Sequence, residues 1–116
     1  MRKETIYLWF CFLGKQRIKH GVVVTDELEL LSVRLGTIWK PLARRLLFEE
    51  AQIVAIDKGN AELGEKAYQM LMSWKEREGS QATYQVLYDA LSHKYVQLRE
   101  LAELLCIDPR PVLVST

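Results

Sequence analysis

Hydrophobic residues recur at helical spacing along most of this chain, and short polar segments separate the runs. The longest such run lies between Asn60 and Gly79. Asn60 is expected to accept backbone N–H bonds at the start of a helix, and Gly79 to close its end in the left-handed conformation. One face of this amphipathic helix is predicted to be buried, and it comprises Leu63, Ala67, Met70, Leu71 and Trp74. The helix is expected to run through the middle of a bundle.

Three shorter helices are predicted before it, at 25–35, 39–46 and 49–57. Thr25 is the expected N-cap of the first helix, and Gly36 its end. The third helix lacks a Ser, Thr, Asp or Asn cap, although its two leading glutamates favour the positive end of the helix dipole.

Two further helices are predicted after Gly79, a fifth at 83–91 and a sixth at 98–105. The sequence GSQAT before the fifth is a turn with Thr83 as the cap. The predicted inner faces are Thr83, Tyr84, Leu87, Ala90 and Leu91 in the fifth helix and Leu98, Leu101, Ala102, Leu104 and Leu105 in the sixth. The β-branched run 22–24 is too short to build a sheet. The predicted fold class is therefore all-α, with six helices.

Charge and composition divide the chain into three parts. Residues 1–20 hold five basic residues and one acidic residue, a local charge of +4, so the other 96 residues sum to −3 against the total of +1. A leader at 1–24 also contains the apolar run 6–13, which is too short to span a bilayer. It is interpreted as a signal peptide, as a segment that packs on the domain or as a non-native extension. The domain is predicted at 25–106, and an extended tail at 107–116.

Residues capable of catalysis or metal binding are sparse. Cys11 and Cys106 are too few and too distant for a disulfide framework or a zinc site, and they indicate a reducing, cytoplasmic location. His93 and Cys106 lack a third group that would orient them as base and nucleophile. The chain is accordingly predicted not to be an enzyme and to bind no metal, cofactor or small-molecule substrate.

Four motifs carry a family resemblance: Trp39-x-x-Leu42-Ala43-x-x-Leu46, Ile53-x-x-Ile56, Met70-Leu71-x-x-Trp74 closed by Gly79, and Ala82-Thr83 opening a helix that ends at Ala90-Leu91. In this order and at these intervals, residues 25–106 resemble a death domain. The sequence EKAYQML…W…REG is similar to the death domain of the receptor-interacting kinase, and the single-domain context to the Fas-associated adaptor. One departure is Phe48-Glu49, where the family usually has a polar cap.

The resemblance implies six antiparallel helices in a Greek-key bundle that assembles with other death domains, in receptor tails, adaptors or kinases, and that can self-associate. The implied function is homotypic assembly in apoptotic or inflammatory signalling. By position, it implies three groups of partner-binding residues. The basic group is Arg34, Lys40, Arg44 and Arg45; the acidic group is Glu49, Glu50, Asp57, Glu62 and Glu65; the far-end group is Lys75, Glu76, Arg77, Lys94 and Tyr95.

Other interpretations of the same residues remain open. The charged residues of the second and third helices could form a solvated face whose ion pairs contribute about 0–1 kcal/mol each. A small helical nucleic-acid binder is a second hypothesis, against which the acidic third helix argues. A third is a membrane-associated or secreted form directed by residues 1–20.

Overall fold

The structure is a computed structural model of the chain, and it describes residues 18–108. Six α-helices lie within that range: α1 (Thr25–Leu35), α2 (Trp39–Arg45), α3 (Glu50–Gly59), α4 (Leu63–Glu78), α5 (Tyr84–Ser92) and α6 (Arg99–Cys106). Short 3₁₀ turns at Gly36–Ile38 and Gly79–Gln81 follow α1 and α4. The described residues form isolated β-bridges and no strand. The predicted all-α class is confirmed.

Helix α4 is the centre of the bundle, since α1, α2 and α3 all pack against it. Helices α5 and α6 pack against each other, and α2 joins them to the rest through α5. Trp39 and Trp74 are 1% exposed, and Leu71 and Leu87 are equally well buried. Each such side chain stabilises the fold by about 1.5–3 kcal/mol. The predicted burial of Trp74, Leu71 and Leu87 is confirmed.

Two exposed leucines correct the predicted inner faces. Leu63 is the first residue of α4 and is 41% exposed, whereas Ala67, Met70, Leu71 and Trp74 further along the same face are buried. Leu104 is 59% exposed, because it lies to one side of the stripe formed by Ala102 and Leu105. The hydrophobic stripes of α4 and α6 are therefore narrower than the sequence predicts.

The helix ends differ from the prediction in two places. Val24, which has no side-chain acceptor, is the N-cap of α1, and Thr25 is already helical. Asn60 does not cap α4; its Nδ2 donates to the Ile56 carbonyl at 3.0 Å and so completes the end of α3. The chain turns again before α4 begins, which places Asn60 at the wrong helix terminus for the predicted role. Thr83 is the predicted cap of α5, and its hydroxyl accepts from the Val86 N–H at 3.3 Å.

Helix α3 begins with a capping box that the sequence analysis missed. The Glu49 backbone N–H donates to Gln52 Oε1 at 2.8 Å, and the Glu49 carboxylate accepts from the Gln52 backbone in return. A glutamate thus does the work of the polar cap that Phe48-Glu49 had seemed to lack.

Residues 18–24 lie against the bundle. The Lys19 N–H donates to the Cys106 carbonyl at 2.8 Å, and the Val23 N–H to the Ala82 carbonyl at 2.9 Å, while the Val23 side chain is fully buried. Isolated bridges join Ile18 to Ile107 and Val22 to Thr83. The apolar run 6–13, Cys11 and most of the predicted tail lie outside the described residues, so the division at residue 24 stays a prediction.

A polar network fixes the start of α1 to the start of α5. The Tyr84 hydroxyl donates to Glu27 Oε1 at 2.6 Å, and Lys19 Nζ lies 2.9 Å from Glu27 Oε2. Burial, reinforced by the Glu27 carboxylate, raises the pKa of Tyr84 to about 12. Burial, followed by the same carboxylate, raises the pKa of the Cys106 thiol to about 12. Cys106 is therefore a neutral thiol in the core at physiological pH. It does not have the thiolate form that nucleophilic catalysis by a cysteine requires.

Candidate protein-interaction surfaces

Ion pairs cover the surface between α2 and α3. Arg44 Nε lies 2.7 Å from Glu50 Oε2, and its Nη2 lies 3.4 Å from Glu50 Oε1, which makes the contact two-pronged. The hydrogen bond from Arg44 holds the pKa of the Glu50 carboxyl below its usual range, and the bond to Glu50 raises the pKa of Arg44. Both side chains are exposed, so the pair adds little to stability.

A second cluster on this surface joins three helices. Asp57 of α3 accepts from Lys66 of α4 at 2.5 Å and lies 2.9 Å from Lys40 Nζ of α2. Hydrogen bonds from Lys66 and then Lys40 lower the pKa of Asp57 to about 2. We call these five residues the α2–α3 ion-pair surface: Lys40 and Arg44 of α2, Glu50 and Asp57 of α3, and Lys66 of α4. Its charges alternate in sign; the Arg44 and Glu50 side chains are exposed, whereas those of Asp57 and Lys66 are partly buried.

The chain turns sharply between α2 and α3, at residues 46–48, the α2–α3 corner. The Phe48 N–H donates to the Ala43 carbonyl at 3.0 Å and the Leu47 N–H to the Arg44 carbonyl at 3.1 Å, the bonding pattern of a Schellman motif. Glycine usually occupies the position of Leu47 in this motif, because the residue there has positive φ. Leu47 has a φ of 69° and is 78% exposed. The corner therefore exposes a large apolar side chain to solvent, on a residue whose backbone conformation is unfavourable for any side chain with a Cβ.

Arg77 of α4 holds this corner in place. Its Nη2 donates to the Leu46 carbonyl at 2.5 Å, and its Nη1 lies 3.5 Å from the Leu47 carbonyl. The guanidinium also stacks 4.8 Å from the ring centroid of Phe48. Arg77 thus satisfies carbonyls at the end of α2 and fixes the direction of Leu47.

An aromatic and basic cluster occupies the connection between α5 and α6. Tyr95 is 65% exposed, and Arg45 and Lys94 approach its ring centroid at 5.7 and 5.3 Å. His93 Nε2 lies 3.3 Å from Arg45 Nη1, and His93 Nδ1 lies 3.1 Å from the Tyr95 backbone N. A neutral imidazole has one nitrogen that can accept a hydrogen bond, so His93 accepts from only one of these two N–H groups at a time. Arg45 is half-buried, and its Nε atom is buried without a hydrogen-bond partner. Part of its side chain therefore packs within the fold, which makes Arg45 partly a structural residue.

A groove runs between α1 and α6. It is lined by Arg34, by residues 97–101 and by Leu104, and it holds about 730 Å³. Leu104 is well exposed, whereas Leu98 and Leu101 are half-buried. Gln97 on its rim has a φ of 53°. Gln97 and Leu47 are the two non-glycine residues with positive φ among residues 18–108. The α1–α6 groove thus combines an apolar floor, formed by Leu98, Leu101 and Leu104, with the side chains of Arg34 and Arg99.

The structure distributes the predicted basic group over three places and does not form one patch from it. Arg34 lines the α1–α6 groove, Lys40 and Arg44 pair with α3, and Arg45 contacts the α5–α6 connection. Lys40 and Arg44 are paired with acidic side chains of α3, so the basic and acidic groups are not two separate patches of opposite sign. These pairings arise because α2 and α3 pack side by side.

The acidic and far-end groups are divided as well. Glu49 caps α3, whereas Glu50 and Asp57 belong to the α2–α3 ion-pair surface. Arg77 contacts the α2–α3 corner, whereas Lys94 contacts Tyr95 in the α5–α6 connection. The remaining predicted residues form no ion pair within residues 18–108, and they are Glu62, Glu65, Lys75 and Glu76. Partner binding by all of these residues stays a prediction.

Leu47 is the main residue that the sequence analysis missed. A signal for it was present, because α1 and α4 end at Gly36 and Gly79 whereas no glycine follows α2. A helix that ends without glycine needs another residue with positive φ or a different cap. The sequence does not reveal which of these two solutions the chain adopts.

Comparison with known proteins covers the same helices. The family model described as Death domain matches residues 25–106. Human THO complex subunit 1 is 33% identical over 86 residues, which are 74% of this chain and 13% of that protein. THO complex subunit 1 of Mus musculus is 31% identical over 86 residues with the same coverage. The chain thus spans 13% of the length of the curated relatives that it matches, and the family match contains all six described helices.

Proposed function

The chain belongs to the death-domain family, and we propose that it binds the death domain of another protein through the α2–α3 ion-pair surface. Death domains are a non-catalytic interaction fold, so the chain is a protein-interaction module. Absence of enzymatic activity, of cofactors and of nucleic-acid binding stays a prediction for this chain.

The observation that carries the proposal is the exposed Arg44–Glu50 pair beside the Lys40–Asp57–Lys66 cluster. Exposed pairs contribute little to folding, so a partner with opposite charges can exchange them at low cost. Ordered charges of alternating sign also reject partners whose charges do not match. The surface is therefore suited to partner selection more than to stabilising its own fold.

Two settings are compatible with this activity. Family resemblance favours apoptotic or inflammatory signalling in the cytoplasm, with receptor tails, adaptors or kinases as partners. The relative THO complex subunit 1 is by name a subunit of a larger complex, and this favours a second setting in which the module joins a multi-subunit assembly. In both settings the contact is between folded interaction domains.

The test measures binding of the full chain to a panel of isolated death domains, including the matching 86-residue segment of human THO complex subunit 1. Wild-type chain is expected to bind at least one member. Arg44→Glu combined with Arg45→Glu is expected to abolish that binding. Because Arg45 is partly structural, Arg44→Glu alone is the cleaner variant, and its helical circular dichroism and Tm are expected to stay near those of the wild type.

Lys58→Glu is the matched control, because Lys58 is exposed and forms no ion pair among the described residues, and it changes the net charge by the same amount. Control binding should equal that of the wild type. Survival of binding in Arg44→Glu and in the double variant would refute the α2–α3 ion-pair surface as the binding site. The panel member that binds distinguishes the two settings.

A further inference from the structure

We propose that the apolar run 6–13 covers the α1–α6 groove of its own molecule. The run has the sequence IYLWFCFL and lies outside the described residues. Of the three interpretations of the leader, this one makes it a segment that packs on the domain. The groove is separate from the α2–α3 ion-pair surface, so failure of either proposal leaves the other intact.

The α1–α6 groove contains a row of leucines that the described residues leave partly uncovered. Leu98, Leu101 and Leu104 recur at three-residue spacing, so they follow one edge of α6. Leu104 is 59% exposed, whereas the other two are half-buried against the core. From the rise of a helix, the row is roughly 9 Å long. A concave site with an apolar floor of this length is suited to a short apolar segment.

The apolar run 6–13 is the longest uninterrupted apolar stretch of the sequence, and it contains Tyr7, Trp9, Phe10 and Phe12. Such a surface favours association when it is exposed to water. It is too short to span a bilayer, so a membrane span does not cover it. Eight residues are longer than the leucine row in either regular conformation, since the rise is about 1.5 Å per residue in a helix and about 3.3 Å in a strand.

The described residues bring the leader to one end of the groove. An antiparallel bridge joins Ile18 to Ile107, which directly follows α6. Leu104 lies three residues earlier, roughly 5 Å away along the helix axis. Residues 14–17 connect the run to this point, and the chain from residue 13 to Ile18 can span roughly 17 Å. A connection this short gives the run a local concentration at the groove that a second copy in dilute solution does not reach.

Charge favours the same placement. Lys15 and Arg17 lie in the connection, close in sequence to the bridge at the end of α6. Glu103 lies at this end of α6 and forms no ion pair within residues 18–108. Arg99 begins α6 and is therefore at the other end of the helix. The basic connection is complementary to the end of the groove from which it would approach.

The experiment is a cross-link in the full chain with the substitution Leu104→Cys, which adds a thiol to the groove. Cys106 is fully buried and keeps its proton at neutral pH, so it does not compete for the reagent. A short bismaleimide is expected to join Cys11 to position 104 within one molecule, at a rate that does not depend on protein concentration. Leu63→Cys is the matched control, because Leu63 is exposed and does not line the groove, and it should give no such link.

Trp9→Asp, combined with Leu104→Cys, separates docking of the run from its attachment to the domain. The substitution keeps the length of the connection and removes the largest apolar side chain of the run. The rate of cross-linking is expected to fall by about tenfold, because the apolar contact with the groove is lost. Helical circular dichroism should equal that of Leu104→Cys alone, which shows that the bundle remains folded.

Four results would overturn the inference. They are the absence of a link in Leu104→Cys, an equally fast link in the Leu63→Cys control, an unchanged rate after Trp9→Asp, and links that form mainly between molecules and increase with concentration. The last result would assign the groove to a second copy. Binding to the death-domain panel requires neither the run nor the groove. Loss of the link with intact panel binding would therefore refute this inference alone, and the reverse result would refute the proposed function alone.

Discussion

Helices α4 and α2 both end at a residue with positive φ, but they use different residues to do so. Gly79 ends α4 with a φ of 57°, and its N–H donates to the Lys75 carbonyl. Leu47 follows α2 with a φ of 69° and projects into solvent. The first solution is the one that folding favours, because glycine has no Cβ to oppose this conformation.

Backbone conformation explains the residue at the end of one helix and does not explain the residue at the end of the other. At the end of α4, glycine occupies the position with positive φ, as the conformational preference of the backbone favours. At the end of α2, leucine occupies the position where backbone conformation favours glycine. This position lies beside the exposed Arg44–Glu50 pair and the contact of Arg77 with the Leu46 carbonyl. Unfavourable local choices that the fold tolerates are typical of functional sites. The α2–α3 corner is therefore the region where folding alone does not explain the sequence.

The largest effect on this comparison is expected from Arg77→Ala. It removes the charged donor to the Leu46 and Leu47 carbonyls and the stacking on Phe48, with an expected loss of about 3 kcal/mol in the free energy of unfolding. Urea denaturation of both proteins measures this difference. Arg77→Lys keeps the charge without the planar fork, so it should give an intermediate value. A loss below about 0.5 kcal/mol for Arg77→Ala would show that the clamp is not needed.

Gly79→Leu introduces at the end of α4 a leucine like the one that follows α2, Leu47. Nothing lies within 4 Å of a Cβ added at Gly79, so the expected cost is conformational and not steric. A φ of 57° with a ψ of −118° is a combination that only glycine populates readily, and we expect a loss of roughly 2 kcal/mol. Thermal and urea unfolding measure it. Unchanged stability would mean that α4 can end in another conformation and that the comparison with Leu47 does not hold.

A smaller effect is expected from alkaline pH at the contact between Tyr84 and Glu27. The folded state keeps the Tyr84 proton up to a pKa of about 12, against an ordinary value near 10. Between these values the folded state binds more protons than the unfolded state, so stability is full below about pH 10 and falls as the pH rises toward 12. Cys106 acts in the same direction, from about pH 9.

Urea titrations at several pH values between 8 and 12 measure this dependence. Tyr84→Phe is the control, because it removes one of the two groups and leaves the thiol and the lysines unchanged. Its stability should fall less steeply above pH 10 than that of the wild type. Parallel curves for the two proteins would argue against a role for Tyr84.

Residues whose role is set by their own helix were predictable from the sequence. Trp39 and Trp74 are buried as their spacing indicates, Thr83 caps the start of α5, and Gly79 follows the end of α4, as expected. Asn60 was assigned to the wrong helix because the length of the α3–α4 connection is not encoded in a local pattern.

Contacts between helices were not predictable. Lys40 and Asp57 are separated by a turn of the chain, and only the packing of α2 on α3 brings them to 2.9 Å. The groove beside Leu104 likewise depends on how α1 and α6 lie together. Periodicity along one helix identifies the face that is buried, but it does not identify the partners of the exposed face.

The most direct test of the account is to measure the free energy of unfolding and the binding of a death-domain partner together in Leu47→Gly. Relief of the positive φ should raise the unfolding free energy by about 0.5–1 kcal/mol, since the gain exceeds the flexibility that glycine adds to the unfolded chain. The same change should weaken binding of the death-domain partner by about tenfold, because an exposed apolar side chain beside the α2–α3 ion-pair surface is lost. A variant that is more stable and binds the partner more weakly is the predicted result. A variant that is less stable, or one that binds the partner like the wild type, would contradict the claim that Leu47 is present for binding and not for folding.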